Sequence, residues 1–223
     1  MSRPRLLDAC CCAGGATKGY QRAGFHVTGV DVAAQPHYCG DVFVQGDAVQ
    51  FIRDHGHEFD AIHASPPCQT YSGMTNCRPG LAADYPDLID VIRFEAQQHR
   101  KPWIIENVAG SGLPRQADMF GANGLELCGA MFGRALYRHR LFETSFPIAA
   151  PHHPRHLVPA SKAGHWKPGT VISVAGNCYP VALARDVMDI DWTNRHELAE
   201  AIPPYFTEFI GAELRQHLAS VAA

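Results

Sequence analysis

Short apolar runs alternate with amphipathic or polar runs from Arg5 to Val108, and this order limits the possible folds more than any other property of the sequence. It is typical of a parallel sheet built from strand–helix–strand units. The predicted strands are Arg5 to Ala9, His26 to Val30, Val42 to Val44, Phe59 to His63 and Trp103 to Glu106. Because ligands bind at the carboxyl ends of such strands, the polar residues that follow them are expected at one rim of the sheet.

Helices are predicted between these strands and near the end of the chain. In the first half they are Thr17 to Ala23, Ala48 to Asp54 and the apolar positions Leu88, Val91, Ile92 and Ala96, with Asp84 or Asp87 as the N-cap. In the second half the predictions are strands at Arg140 to Thr144 and Thr170 to Ala175, a short helix from a Thr193 cap through Glu200, and a helix with the apolar stripe Phe206, Phe209, Ile210, Leu214 and Leu218. The length predicts a single α/β domain, 1–223.

The charge balance excludes a protein that wraps nucleic acid by bulk charge. The 223 residues include 19 Lys and Arg against 22 Asp and Glu, a net charge of −3, so contact with nucleic acid requires a local basic patch. No uncharged stretch can span a bilayer, and the N-terminus lacks the apolar core of a signal peptide. We therefore expect a cytoplasmic protein with no membrane partner and with reduced cysteines.

One segment, 147–168, differs in kind from its surroundings. It holds five of the 16 prolines and four of the 13 histidines, which predicts an irregular loop. It carries Arg155, Lys162 and Lys167, and no acid occurs between Thr144 and Thr170. This segment is the best candidate for the local basic patch; the alternative is a solvated proline-rich loop that happens to be basic.

The first two predicted strand ends suggest a nucleoside-containing cofactor. A glycine turn, Cys12-Ala13-Gly14-Gly15, follows the first strand, and its glycines let backbone N–H groups approach a ligand at a helix start. Asp31 stands 16 residues after Gly15 and can accept ribose hydroxyls. Asp47 follows the third strand and could meet the adenine amino group. The full GxGxxG is absent, so an adenosyl ligand fits better than a pyrophosphate; alternatively, the two acids are helix caps or turn formers.

The fourth strand leads into a rigid loop with a candidate nucleophile. Pro66 and Pro67 fix the backbone before Cys68, which would present this thiol in one orientation at the rim. An inert, half-buried cysteine is the alternative. Glu106 ends the next apolar strand, 38 residues after Cys68, and Arg138 and Arg140 lie on one face if their segment is a strand. Paired arginines suit a phosphate or a base carbonyl.

The order of these motifs resembles the cytosine carbon-5 DNA methyltransferase family, and in particular its short bacteriophage-encoded members. The residues that carry the resemblance are the glycine turn, Asp31, Asp47, Pro67-Cys68-Gln69, Glu106-Asn107-Val108, Arg138-x-Arg140 and the tail Ala201-Ile202-Pro203-Pro204. It implies a Rossmann-like, S-adenosylmethionine-dependent methyltransferase sheet with flanking helices. The usual target-recognition domain would be reduced here to the segment 147–168.

The resemblance also implies roles for individual residues. Cys68 would add to carbon 6 of a cytosine flipped out of duplex DNA, Glu106 would protonate ring nitrogen 3, and Arg140, with Arg138 beside it, would hold the base carbonyl or a phosphate. The residues expected around S-adenosylmethionine are Cys10, Cys12, Gly14, Gly15, Asp31, Val32, Asp47, Ala48, Pro67 and Ile202. Cys10 and Cys12 replace the family's phenylalanine and first glycine, so the aromatic contact to adenine is missing.

The sequence therefore predicts a monomeric DNA (cytosine-5)-methyltransferase of low sequence specificity in a bacterial or phage-infected cell. The same chemistry on RNA or a free nucleotide, and a catalytically silent nucleic-acid-binding relative, remain alternatives. A methylase of exocyclic amines is less favoured, because Cys68 stands where such enzymes place an aromatic residue after Ser65-Pro66-Pro67. No metal is predicted, since there is no CxxC pair and Cys10, Cys11 and Cys12 are too close together for tetrahedral zinc.

Overall fold

The computed structural model describes residues 2–68, 87–116 and 123–221, and seven strands within them form one sheet in the order β3-β2-β1-β4-β5-β7-β6. The first five strands run parallel, and β6 and β7 are antiparallel additions at one edge. The strands are β1 Arg5–Ala9, β2 His26–Asp31, β3 Val42–Gln45, β4 Ala61–Ala64, β5 Trp103–Val108, β6 Asn123–Cys128 and β7 His139–Thr144. This is the α/β architecture that the sequence predicts.

Helices cover both faces of the sheet. They are α1 Gly15–Arg22, α2 Ala48–His55, α3 Ile89–Gln98, α4 Val181–Met188, α5 Arg195–Glu200 and α6 Pro204–Val221, with short 3-10 turns at Gly56–Glu58 and Gly129–Phe132. Adjacent strand residues point to opposite faces, so Leu6 packs with α1 and α6 whereas Leu7 packs with α2 and α3. Both leucines are fully buried, which explains why the central strands are apolar throughout.

Helices α1 and α6 cross at Gly19, where a side chain would not fit. A Cβ at this position would overlap the Pro204 carbonyl oxygen and the Thr207 hydroxyl. Thr207 Oγ1 also donates to the Ala16 carbonyl oxygen at 2.8 Å. The close crossing therefore holds the C-terminal helix against the helix that follows the glycine turn.

Replacing Gly19 with alanine is expected to lower the free energy of unfolding by about 2 kcal/mol. Overpacking costs roughly 1–3 kcal/mol, and this site is at the upper end because backbone atoms must move; the better helix propensity of alanine returns only about 1 kcal/mol. Urea unfolding measures the change. The matched control is Gly46→Ala, where a Cβ meets nothing within 4 Å; equal losses in both variants would contradict the close-packing argument.

Most predicted elements are confirmed, and three details are wrong. Thr170 to Ala175 forms isolated bridges to Leu136 and Ala160 instead of a strand. Asn194, not Thr193, caps α5 through its side chain. Val91 is 43% exposed, and Ile89 joins Ile92 on the buried face of α3.

The sequence pattern misses two elements and assigns the wrong N-cap residue to α3. Strand β6 and helix α4 were not predicted. Leu88 is the N-cap residue of α3 and has no side-chain cap, although Asp87 accepts from the Ile89 N–H at 3.2 Å; Asp84 lies outside the described residues.

The segment 147–168 is irregular, as predicted. It has neither helix nor strand, and it is tied locally by a bridge between Ala160 and Val171 and by a hydrogen bond from Trp166 Nε1 to the Thr170 carbonyl oxygen. Arg155, Lys162 and Lys167 are exposed or partly exposed on it.

Among the described residues, none of the helices combines the length and apolar character needed to cross a lipid bilayer.

Candidate active site

The loop after β4 places Cys68 beside the end of β5. Strands β4 and β5 pair in parallel, with Ala64 opposite Ile105, so Cys68 follows one strand end and Glu106 comes at the other. The buried Asn107 side chain donates to the Pro66 carbonyl oxygen at 3.1 Å and thereby ties the loop to the strand. Sequence reasoning gave Asn107 no role of its own. Gln69, the last residue of the thiol motif, lies outside the described residues.

Glu106 and Arg140 meet on one face of the antiparallel β5–β7 pair. Glu106 is opposite Phe142 and Val108 is opposite Arg140, so the two charged side chains are diagonal neighbours. Arg140 Nε lies 2.9 Å from Glu106 Oε1 in an ion pair. Its N–H is not aligned on that oxygen, which is buried and accepts no hydrogen bond from any described residue. This oxygen is therefore paired with Arg140 by charge, and it keeps acceptor positions that no aligned hydrogen bond fills.

Burial favours the neutral form of both reactive groups, and the neighbouring arginines oppose it. Burial raises the pKa of Glu106 above its usual value, against the opposing effects of Arg140, His63 and Arg138. Burial likewise raises the pKa of the Cys68 thiol; Arg140 and Arg138 oppose this effect, and Glu106 adds to it. The charge of Arg140 acts on both Cys68 and Glu106, and the charge of Glu106 acts on Cys68. We therefore treat these three side chains as one electrostatic unit, in which Arg140 favours the Cys68 thiolate.

Arg138 has a different environment from Arg140. It precedes β7, is 8% exposed, and donates to the carbonyl oxygens of Val174 and Ala199 at 2.5 and 2.9 Å. Burial, reinforced by Arg140, lowers the pKa of its guanidinium. Two of its nitrogens thus hold the backbone of the second half of the chain to the sheet, although its charge still acts on Cys68.

The glycine turn is braced by Asp31 at the end of β2. Its two carboxylate oxygens accept the backbone N–H groups of Cys12 and Ala33, each at 3.0 Å. Cys10, Cys12 and Gly14 all have positive φ, a conformation that is uncommon for residues other than glycine. The hydrogen bond from the Cys12 N–H to Asp31 helps to hold the turn in this shape. A carboxylate has about four acceptor positions, which leaves two for ribose hydroxyls.

The chain's last third returns to the same turn. A Cβ on Gly15 would overlap the Ile202 carbonyl oxygen, so this glycine is needed for the approach of the C-terminal segment. Trp192 Nε1 donates to the Ala13 carbonyl oxygen at 2.9 Å. Ile202, predicted from the sequence to reach the cofactor region, is therefore packed directly behind the glycine turn.

Four further residues of the predicted cofactor region lie shortly after strands, in loops or at the start of α2. Asp47 is the N-cap of α2, since its Oδ1 accepts the Gln50 N–H at 2.8 Å; the helix-cap alternative is correct for this oxygen. Ala48 is buried at the first position of that helix. Val32, by contrast, is 74% exposed just past β2, where an apolar side chain could cover a planar ring. Pro67 is partly buried beside Cys68.

Cys10 occupies the turn as a neutral thiol. Burial, with Asp31, Asp8 and Asp47 nearby, raises its pKa to about 12. A thiol that holds its proton at neutral pH contributes apolar contact rather than nucleophilic chemistry. Of the half-buried thiols near the rim, Cys68 is the one whose charge is favoured by two arginines.

A buried polar group beneath the site was not predicted. His63 Nδ1 lies 2.8 Å from Asp8 Oδ1, Thr17 donates to the other oxygen of Asp8, and all three side chains are fully buried. His63 Nε2 has no hydrogen-bond partner among the described residues, and His63 acts on the charge of Glu106. Polar residues within two apolar strands were the only sequence signal for this group.

Three solved structures resemble the chain over nearly its whole length. One is described as a DNA modification methyltransferase encoded within an E. coli prophage, with TM-score 0.63, 13% identity and coverage of 97% of this chain and 99% of that one. The S. pombe Dnmt2 methyltransferase gives TM-score 0.60, 12% identity and coverage of 97% and 99%. The Entamoeba histolytica methyltransferase EhMeth gives 0.56, 11% and full coverage of both chains at 100%.

At these identities the likeness establishes the fold. The mixed sheet with helices on both faces is the Rossmann-like methyltransferase architecture predicted from the sequence. The sequence itself matches no protein-family model and no curated protein.

Proposed function

We propose that the protein is a DNA (cytosine-5)-methyltransferase that forms a transient covalent bond between Cys68 and the target base. The observation that carries this proposal is the buried Glu106 Oε1, which lacks a hydrogen bond while its side chain shares one electrostatic unit with Cys68 and Arg140. The ion pair with Arg140 does not fill the acceptor positions of this oxygen with an aligned hydrogen bond, so a ligand can still pair with it. The ring nitrogen 3 of cytosine, which accepts a proton or hydrogen bond from a protonated carboxyl, supplies that partner.

The glycine-turn rim fits S-adenosylmethionine as the cofactor. Asp31 has acceptor capacity left for a ribose, Val32 offers an exposed apolar surface, and Cys12 is an exposed residue of the turn. These donors and acceptors suit a neutral nucleoside with an attached cationic sulfur. When bound, S-adenosylmethionine supplies an electrophilic methyl group.

Cys68 and Glu106 carry the two halves of the base activation. The Cys68 thiolate forms a bond to carbon 6 while Glu106 gives its proton to nitrogen 3, and the electron pair of the carbon 5–carbon 6 double bond makes carbon 5 nucleophilic. After methylation, carbon 5 loses its proton to water, Cys68 leaves as thiolate and Glu106 takes back the proton from nitrogen 3. Arg140 stabilises the thiolate before attack and after departure.

A cytosine inside a duplex cannot reach Cys68, so the base must leave the stack. The segment 147–168, with its basic residues and no acid, is placed in the chain where it can contact the phosphates around a flipped base. Such a short segment reads few base edges, which fits a low sequence specificity. We regard residues 1–223 as one catalytic domain.

The proposal predicts a covalent complex with DNA that contains 5-fluorocytosine. Fluorine on carbon 5 cannot leave as a proton, so elimination of Cys68 is blocked once the methyl group has been transferred. With labelled S-adenosylmethionine, we expect label, DNA and protein in one band on a denaturing gel, and peptide mass spectrometry should locate the adduct on Cys68.

RNA and a free cytosine nucleotide with the same fluorinated base serve as parallel substrates. An adduct with RNA but not DNA would reassign the substrate and retain the chemistry. Label transferred to an exocyclic amine without an adduct, or no transfer to any of these substrates, would contradict the proposal.

A further inference from the structure

Four potential metal ligands converge at the edge of the sheet formed by β6 and β7. They are Cys128 at the end of β6, His139 at the start of β7, and His153 and His156 from the segment 147–168. One donor atom from each lies within 4.8 Å of the others. Sequence spacing gave no sign of this cluster, because the ligands come from three separate parts of the chain and contain no CxxC pair.

The distances in the cluster are close to those of a tetrahedral zinc site. Zinc bonds of about 2.0–2.3 Å place neighbouring ligand atoms roughly 3.3–3.8 Å apart. Cys128 Sγ lies 3.4 Å from His156 Nε2, and His139 Nε2 lies 3.2 Å from His153 Nε2. A contraction of about 1 Å in the longer contacts would complete the tetrahedron.

The surroundings orient the rings toward a common centre. The Tyr137 ring stacks on His156 with centroids 3.7 Å apart and planes 10° apart, and His139 stacks on His153 at 5.4 Å. Cys128 is fully buried, whereas His153 and His156 are exposed. The buried side of the cluster is therefore fixed by the sheet, and a metal ion could enter from the exposed side.

We propose that Cys128, His139, His153 and His156 bind one zinc ion that anchors the segment 147–168 to the sheet. One thiolate and three imidazoles fill a tetrahedral coordination sphere, which is typical of a structural site rather than a catalytic one. His139 lies between Arg138 and Arg140 in the chain, so the ion would fix the segment beside the start of β7, the strand that carries Arg140. Zinc with one thiolate also adds a single positive charge to a segment that has no acid.

The test is the zinc content of the untagged, full-length protein after dialysis against metal-free buffer. We expect one zinc per chain in the wild type and a loss of at least tenfold in retained zinc in His153→Ala and His156→Ala. His152→Ala is the matched control, because it removes an exposed neighbouring histidine outside the cluster and should retain one zinc. Circular dichroism spectra of the three variants, recorded in the presence of a chelator, check that substitutions at these exposed residues leave the sheet folded.

Cobalt substitution tests the ligand set independently. Tetrahedral Co²⁺ with a thiolate ligand should show strong visible bands and a sulfur-to-metal charge-transfer band, and His153→Ala should weaken both. A wild type without bound metal, an equal loss of zinc in His152→Ala, or cobalt spectra without the sulfur band would overturn the proposal. Because every readout is metal content or a spectrum, failure here leaves the methyltransferase proposal intact, and the reverse also holds.

Discussion

Replacing Cys68 with alanine is expected to abolish methyl transfer, with a loss on the order of 10⁴-fold or more in kcat. Without the thiolate, carbon 5 of cytosine has no route to become nucleophilic, and neither Arg140 nor Glu106 can supply a substitute. Binding of S-adenosylmethionine should change little, since the glycine turn and Asp31 do not depend on Cys68. Labelled methyl transfer to DNA and isothermal titration of the cofactor measure the two effects.

Cys178→Ala is the matched control for this experiment. Cys178 is a fully buried thiol in the separate core formed with α4 and α5, and it contacts the Arg195 carbonyl oxygen at 3.6 Å. Its replacement should cost some stability and leave turnover within a few-fold of the wild type. Residual activity in Cys68→Ala comparable to that of the control would rule out Cys68 as the nucleophile.

Replacing Glu106 with glutamine is expected to lower kcat/KM by about 10²–10⁴-fold, the usual contribution of a general acid. Glutamine is nearly isosteric, so the fold and the contact with Arg140 should persist, but it has no proton to give to nitrogen 3. The rate of label transfer at DNA concentrations well below KM measures the loss in kcat/KM. A variant that keeps wild-type activity would show that another group protonates the base.

The dependence on pH should change with the same substitution. In the wild type the reactive form needs a Cys68 thiolate and a protonated Glu106, and burial raises the pKa of both groups. Between those two pKa values the thiolate fraction rises about tenfold per pH unit while the protonated carboxyl fraction falls about tenfold, so kcat/KM stays level. Below the Glu106 pKa it falls, because the thiolate is lost and nothing compensates.

Glu106→Gln removes the compensating ionisation. In that variant kcat/KM should rise with pH across the neutral range, following the Cys68 thiolate alone. Removing the carboxylate also removes a charge that raises the pKa of Cys68, so Cys68 should be alkylated faster than in the wild type. Mass spectrometry of iodoacetamide-treated protein follows this one thiol. A flat profile in the variant, or slower alkylation, would contradict the assigned electrostatics.

The parallel part of the sheet could be predicted because its physical causes are local. Buried parallel strands require continuous apolar runs, and the loops after them require glycine, proline or polar residues. Strands β1 to β5 and the helices between them can therefore be recognised in the sequence. The rim residues follow from the same logic. Cys68 follows β4 and Glu106 lies near the end of the adjacent β5, and adjacent parallel strands bring their ends together.

The second half was harder to predict because distant contacts determine it. Strand β6 pairs with β7 at an edge of the sheet, and its sequence, with a glycine and a glutamate, lacks a continuous apolar run. Arg138 was grouped with Arg140 by spacing, but its partners are the carbonyl oxygens of Val174 and Ala199, 36 and 61 residues away. The histidines of 147–168 can be recognised in the sequence only as a feature of composition, because Cys128, which contacts His156, belongs to a distant part of the chain.

The packing of Ile202 behind Gly15 has a consequence for the kinetics of folding. This contact and the crossing of α6 over α1 both join residues that are far apart in the sequence. Contacts of this kind close long loops, and the entropic cost of closing a loop is met before the contact stabilises the chain. We therefore expect the glycine turn to gain its support late in folding, after the neighbouring strands of the sheet have paired.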